Sequence, residues 1–200
     1  AHELPSARGQ GEPLSGRFAM VAGESFEHVL LDDDKQALLL ASDAGYGFVA
    51  EYSDLLSRNK AGKAVLSLPV GAKVLPPVVV KQPDTDLVLC ISNEGRMLVF
   101  PVADLPKLSK GKGNKLMSIP SARAASREEY VCQLAIVPAD GSVTLVAGKR
   151  KLGLKADDLA HYHGERGRRG NKLPRGLQRI DEVQVSLGND TSSDQTSSVE

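Results

Sequence analysis

Apolar residues in this chain come in short runs, each closed by a polar turn, and no run keeps a helical period for long. Val29-Leu30-Leu31 stops at Asp32-Asp33-Asp34, Leu38 to Ser42 stops at Asp43-Ala44-Gly45, and Gly47 to Tyr52 follows. The order recurs as Pro77 to Val80, a turn at Gln82-Pro83-Asp84, Leu87 to Ile91, a turn at Asn93-Glu94-Gly95, and Arg96 to Phe100. A third round gives Cys132 to Ile136, a turn at Ala139-Asp140-Gly141, Ser142 to Ala147 and Lys149 to Leu154. Short β-rich runs broken by Asp-Gly and Glu-Gly turns predict hairpins. Helix signals are confined to single turns such as Ser53-Asp54-Leu55-Leu56 and an inserted turn within Ser121 to Glu128. Leu177 to Val185 largely alternates at period two and predicts one more strand, which closes or latches the array.

The runs belong to a repeat. Gly62-Lys63-Ala64-Val65-Leu66-Ser67-Leu68-Pro69 aligns without a gap on Gly113-Asn114-Lys115-Leu116-Met117-Ser118-Ile119-Pro120. Gly113-Asn114-Lys115-Leu116 returns as Gly170-Asn171-Lys172-Leu173, and a weaker copy starts at Gly11; the glycine spacings are 51, 51 and 57. A second marker keeps the same rhythm: Ala50-Glu51-Tyr52-Ser53-Asp54-Leu55, Phe100 to Leu105, and Lys155-Ala156-Asp157-Asp158-Leu159. Self-similarity at this period marks a repeat architecture, and about four strands per unit predict a propeller-like blade. The chain divides into the end of a preceding blade and a connector at 1–13, then blades at 14–60 and 61–110. A blade plus closing strand follows at 111–187, and 188–200 is an acidic tail without cations that reads as disordered.

Composition narrows the function classes. At 200 residues, 41% hydrophobic and 25% charged, the chain reads as a soluble globular array with no membrane-spanning run. Its start, Ala1-His2-Glu3-Leu4-Pro5, has no initiator Met or signal pattern, so it reads as a piece of a longer protein. Cys90 and Cys132, each inside an apolar run, suggest neither a disulfide framework nor a zinc site and favour a reducing cytoplasm. The zero net charge hides an asymmetry. Residues 23–56 carry eight acids and one lysine, whereas residues 149–179 carry ten cations and three acids, which points to a polyanionic partner.

Three stretches carry a resemblance: "ASDAGYGFVAEYSDLLSRNKAGKAVLSLP" (41–69), "LPKLSKGKGNKLMSIPSA" (105–122) and "GERGRRGNKLPRGLQRIDEV" (164–183). With them the chain resembles the C-terminal domain of the A subunit of bacterial type IIA topoisomerases, more closely that of topoisomerase IV (ParC) than that of gyrase A. The resemblance implies an all-β fold, a β-pinwheel whose four-stranded blades exchange strands, here about three blades forming a partial ring. It also implies a basic outer rim that binds and bends duplex DNA and presents the transported segment for decatenation or relaxation. The gyrase hallmark QRRGGKG is approached only by Gly167-Arg168-Arg169-Gly170-Asn171-Lys172-Leu173, at the last blade junction. A decatenating or relaxing parent enzyme therefore fits better than a supercoiling one. The resemblance implies a cytoplasmic, nucleoid-associated parent that uses ATP and Mg2+ and pairs with a topoisomerase IV B subunit in a heterotetramer. The DNA-cleaving tyrosine belongs to the N-terminal breakage–reunion region, so this fragment is expected to have no catalysis, cofactor, metal or small-molecule ligand of its own.

The candidate DNA-binding residues cluster around the repeated glycines: Arg8; Arg58, Lys60 and Lys63; Lys107, Lys110, Lys112 and Lys115; Arg166, Arg168, Arg169, Lys172 and Arg175; and Lys149, Arg150 and Lys151 at the last hairpin turn. Equivalent positions on successive blades lie side by side, so repetition turns small clusters into a curved basic stripe. Such a stripe suits phosphates, whose contacts carry no base code. Other chemistry is thin. His161-Tyr162-His163 has no further ligand nearby, Asp32-Asp33-Asp34 lacks the alternation of a calcium loop, and no P-loop lysine–hydroxyl pair follows the glycines. Two alternatives stay open: solvated blade connectors on a propeller that binds protein through its acidic face, and a gyrase-type DNA-wrapping domain.

Overall fold

The computed structural model describes residues 11, 13–16, 18, 20–31, 33, 35–59 and 61–187. The expected tail at 188–200 and the first ten residues of the expected connector lie outside them. Among the described residues eleven strands form three antiparallel sheets. In chain order they are β1 Ala37–Ser42, β2 Tyr46–Glu51, β3 Val78–Val80, β4 Leu87–Ser92, β5 Arg96–Pro101, β6 Asn114–Lys115, β7 Val131–Val137, β8 Ser142–Ala147, β9 Arg150–Leu154, β10 Asn171–Lys172 and β11 Glu182–Ser186. Hairpins form as β1–β2, β4–β5 and β8–β9. The Asp140-Gly141 turn, which reads as a hairpin in the sequence, makes none: β7 before it pairs with β4 in the second sheet, and β8 after it pairs with β9 and β11 in the third. The single helical turns are present too, as α1 Tyr52–Leu55, a 3-10 turn at Val102–Asp104, α2 Ser121–Ala125 and α3 Ala156–Leu159. The repeated aspartate caps two of these turns: Asp54 and Asp158 accept the backbone N–H of Glu51 and Lys155. In the middle repeat Pro101 stands at that position and has no N–H to give.

No sheet is a continuous stretch of chain. The first runs β3-β1-β2-β6 and the second β7-β4-β5-β10, so each hairpin takes one flanking strand from the next repeat and the other from the repeat after that. Among the described residues the third sheet, β11-β8-β9, has only the first of these additions. β3, β7 and β11 lie next to one another and form the inner edge of the array, which puts β6 and β10 on the outer edge. The blade boundaries at 14–60, 61–110 and 111–187 therefore name stretches of chain and not sheets. Val29 to Leu31 is a strand in the sequence reading, yet it forms none here. It occupies the repeat position of β3, whose partner is always the preceding hairpin, and no described hairpin precedes it. Residues 177–181 also stay out of β11, and β11 supplies the third sheet's inner strand by pairing with β8, where a closing latch was expected.

Period-two alternation places the core between the sheets. Leu39, Ala41 and Val49 of the first sheet meet Val88, Cys90, Leu98 and Phe100 of the second. Leu89, Ile91, Met97 and Val99 on the second sheet's other face meet Val143, Leu145 and Leu154 of the third. The first sheet's remaining face, with Leu38, Leu40, Phe48 and Ala50, is covered by Leu30, Tyr52, Leu55, Val65, Leu66 and Val79. On the third sheet the register positions that hold Leu89, Val99, Ile91 and Met97 in the second are Thr144, Gly153, Val146 and Lys151. That face offers no apolar stripe for another sheet.

The repeated tetrapeptide is the exchanged strand itself. Gly113 and Gly170 adopt φ of 76° and 73°, in the left-handed region that L side chains avoid. Each also presses on a hairpin: a Cβ on Gly113 would overlap the Gly47 carbonyl, and one on Gly170 the Met97 carbonyl. Asn114-Lys115 and Asn171-Lys172 then pair with β2 and β5 and keep their side chains exposed. Leu116 and Leu173 plunge into the two intersheet cores while their N–H groups bond the Gly45 and Gly95 carbonyls at 2.8 Å. Gly62 keeps the same φ, 78°, but has nothing within 4 Å of a would-be Cβ. Gly62→Ala should thus cost only the left-handed backbone term, about 1–2 kcal/mol. Gly113→Ala adds the carbonyl clash and should cost about 2–5 kcal/mol. Urea denaturation of both variants checks the difference.

Candidate nucleic-acid interface

The exchanged strands build a continuous belt along the outer edge. Gly111 N–H bonds the Val65 carbonyl at 2.8 Å and Ser67 N–H bonds the Gly111 carbonyl at 2.9 Å, tying the Gly62 turn to the Gly113 turn. The same link joins the Gly113 turn to the Gly170 turn: Gly167 N–H to the Leu116 carbonyl, and Ser118 N–H to the Arg168 carbonyl, both at 2.9 Å. Successive glycine turns are therefore hydrogen-bonded neighbours, as the stripe required.

The structure sorts the candidate cations by what they touch. Lys107, Lys110, Lys112, Lys115, Lys149, Arg150, Lys151, Lys172 and Arg175 are exposed, and none makes an ion pair among the described residues. Lys112 and Lys115 both lie over the Tyr46 ring. Lys63 is exposed and donates to the Asp54 carbonyl at 2.7 Å, and Arg58 is exposed in the preceding bend. Arg150 reaches across to Gly176, whose would-be Cβ it would overlap, so the third hairpin turn joins the belt beside Arg175. Arg8 and Lys60 lie outside the described residues.

Three arginines of the last cluster are tethered. Arg168 pairs with Glu165 at 2.7 Å on the open surface. Arg166 spans the two turns by donating to the Lys115 carbonyl at 2.7 Å. Arg169 is bound at 2.8 Å to Glu129, whose side chain is 0% exposed and also takes Arg123 at 2.8 Å. Burial alone would lower the Arg123 pKa, but Glu129 and Glu94 reverse that and hold it above its usual value. A neighbouring bridge joins Arg127, whose φ is positive at 61°, to the buried Asp43. Nothing in the spacing of Arg169 and Glu129, forty residues apart, announced that pair.

Sequence reasoning also missed Tyr46 and Arg96. They are the cross-strand partners of Lys115 and Lys172, and Arg96 donates to the Gly170 carbonyl at 3.1 Å. The signal was the equivalent position of Tyr46 and Arg96 just after the two hairpin turns, legible only once the strand exchange is known.

Among the described residues there is no cluster of metal-ligating side chains, and no helix is long and apolar enough to cross a membrane. Both cysteines are free; burial pushes the Cys132 thiol up to about 11 and the Cys90 thiol further still. Burial also raises the Tyr162 phenol.

Known proteins share this arrangement. The family model for the DNA gyrase C-terminal domain, a beta-propeller, matches residues 36–81 and 86–122, which span the first two hairpins and the first exchanged strand. The solved C-terminal domain of Escherichia coli ParC superposes with a TM-score of 0.86 at 53% identity, over 92% of this chain and 74% of that one. The chain belongs to the family of gyrase A and ParC C-terminal domains. Curated relatives named as the A component of DNA topoisomerase 4 are 59% identical in Pseudomonas aeruginosa over 94% of this chain, and 54% identical in Escherichia coli over 91% of it. The chain spans about a quarter of the length of those relatives. A gyrase A C-terminal domain superposes with a TM-score of 0.66 at 18% identity, over 88% of this chain and 59% of that one, a likeness of fold.

The tethered and free cations of this ParC-type domain should behave differently. Arg169→Ala leaves Glu129 buried with one partner and should cost about 2–4 kcal/mol of stability. Arg168→Ala removes an exposed pair and should cost under about 1 kcal/mol. Thermal and urea melts of the two variants measure this. In the folded protein at pH 8 both thiols should resist iodoacetamide while the urea-unfolded chain labels rapidly, since the thiolate is the reacting form. Mass spectrometry reads the outcome.

Proposed function

We propose that the belt binds the backbone of duplex DNA without reading its sequence. The observation that carries this is a hydrogen-bonded row of glycine turns bearing exposed cations with no carboxylate partners among the described residues. Phosphates recur regularly along a duplex, and lysines and arginines that neutralise them gain from counterion release. Glycine turns add backbone N–H groups that a phosphate can approach closely. The candidate contact residues are Lys110, Lys112, Lys115, Lys149, Arg150, Lys151, Lys172 and Arg175, with Arg58, Lys63 and Lys107 at the belt's start. Arg166 and Arg169 hold the belt in place, and no described helix is long enough to read bases in a groove.

In the full-length enzyme this surface would bend the duplex and present a transported segment for decatenation or relaxation. That enzyme would be an ATP- and Mg2+-dependent type IIA topoisomerase with a B-subunit partner, acting at the nucleoid. Smooth bending of tens of base pairs costs about 1–6 kcal/mol, so several phosphate contacts must act together. The names of the curated relatives and the ParC-type fold support this reading.

The test is binding of the native chain to a fluorescent duplex of arbitrary sequence across a salt series. The comparison is a variant with Lys110, Lys151, Lys172 and Arg175 all changed to Gln. Those four side chains are exposed and outside every ion pair described above, so the variant should melt like the native protein. The slope of log K against log salt should fall by about 0.9 for each phosphate contact removed. A folded native chain with no salt-dependent binding even at low salt would overturn the proposal and favour a protein-docking role.

A further inference from the structure

Tyr46 opens β2 and stands directly across from Lys115 of the exchanged strand. The Lys112 ammonium lies 4.4 Å from the Tyr46 ring centroid and the Lys115 ammonium 5.9 Å from it. Both ammonium groups thus gather within 6 Å of one ring centroid, with no carboxylate among the described residues paired to either. The ring's negative face favours each ammonium singly and limits the positions its flexible stem explores. An anion placed between the two would relieve their mutual repulsion.

The surroundings fit a sugar-phosphate backbone. Tyr46, Lys112 and Lys115 share a groove of about 360 Å³ with Pro69, Val70 and Ile119. Val70, 88% exposed, offers an apolar lip beside the two cations. A deoxyribose has an apolar face next to its phosphate, and this lip lies where such a face would rest. The second sheet is built differently at the same position. Arg96 replaces the tyrosine, and its guanidinium is engaged by the Gly170 carbonyl, so Lys172 has no aromatic ring to order it.

We propose that Tyr46 is a positioning residue that holds Lys112 and Lys115 as a preformed clamp for a backbone phosphate. The clamp rests on the reading of the belt as a duplex-binding surface. It makes the first exchanged strand the better-ordered contact of the two and the second a more adaptable one.

The experiment measures duplex binding over a salt series for the native chain, Tyr46→Phe, Tyr46→Leu and the double variant Lys112→Gln/Lys115→Gln. NMR follows the lysine ε-methylene shifts in parallel. Tyr46→Phe keeps the ring and should bind within about twofold of native. Tyr46→Leu leaves the lysines in place but unordered. Its affinity should fall about threefold to tenfold while the salt slope is retained. The double lysine variant should lose affinity and also lower the slope by about 0.9 per contact. Ring-current shifts on the Lys112 ε-protons should be present in the native protein and in Tyr46→Phe, and absent in Tyr46→Leu.

Native affinity in Tyr46→Leu, or an equal loss in Tyr46→Phe, would overturn the proposal. Should Tyr46→Leu fail to fold, the native spectrum decides: unshifted Lys112 ε-protons overturn the clamp. A native chain that binds no duplex would overturn the interface reading as well, whereas binding that ignores Tyr46→Leu would overturn the clamp alone.

Discussion

Everything in this structure depends on a short strand that crosses from one repeat to the hairpin of an earlier one. The crossing needs a residue at positive φ whose α-carbon touches a neighbouring carbonyl, and only glycine meets both demands. Because the strand is borrowed, the first and second sheets are each tied to a later repeat, and Leu116 and Leu173 then fill the space between successive sheets. Strand pairing, intersheet packing and the outer belt are therefore one construction. A change at the glycine would be felt in all three.

This construction divides the cations by task. Leaving the buried Glu129 carboxylate unpaired would be costly, and Arg123 and Arg169 are committed to it. Arg127 is committed to Asp43 in the same way. These pairs anchor the chain just before β7 and around the Gly170 turn. Lys107, Lys110, Lys112, Lys115, Lys149, Arg150, Lys151, Lys172 and Arg175 are left exposed and without a carboxylate partner among the described residues. Charge number alone therefore overstates the free positive charge at residues 166–169. Of the three arginines there only Arg168 is exposed, and it already faces Glu165.

The sequence made the local structure legible. Alternating runs and the breaks at Gly45, Gly95 and Gly148 gave the hairpins, and the repeated Asp-Leu marker gave the single helical turns after them, whereas Asp140-Gly141 joins strands of two different sheets. What it hid was pairing at long range. Gly113 to Leu116 read as a connector because its strand partner, Tyr46-Gly47, lies more than sixty residues back, and a two-residue strand has no periodicity to display. Val29 to Leu31 failed for the complementary reason: its run was strand-like, but a strand exists only where a partner edge does, and no described hairpin precedes it. The clusters of cations were legible in the sequence, yet the geometry of the belt that carries them was not. Tyr46, Arg96 and Glu129 acquire their roles only from neighbours that the strand exchange brings to them.

The position of the belt on the exchanged strand also explains how the fold tolerates it. Lys115 and Lys172 occupy edge strands with their side chains exposed, where a charge crosses into no core and discourages another chain from adding to the edge. Opposite Lys172 the hairpin carries Arg96, and like charges directly across a sheet disfavour pairing. The fold offsets this locally by giving Arg96 the Gly170 carbonyl. A sequence under pressure for stability alone would put an acid or an aromatic residue there, as the first sheet does with Tyr46. The second sheet instead keeps two cations face to face and moves one aside with a hydrogen bond, so this edge retains its positive charge at a cost to strand pairing.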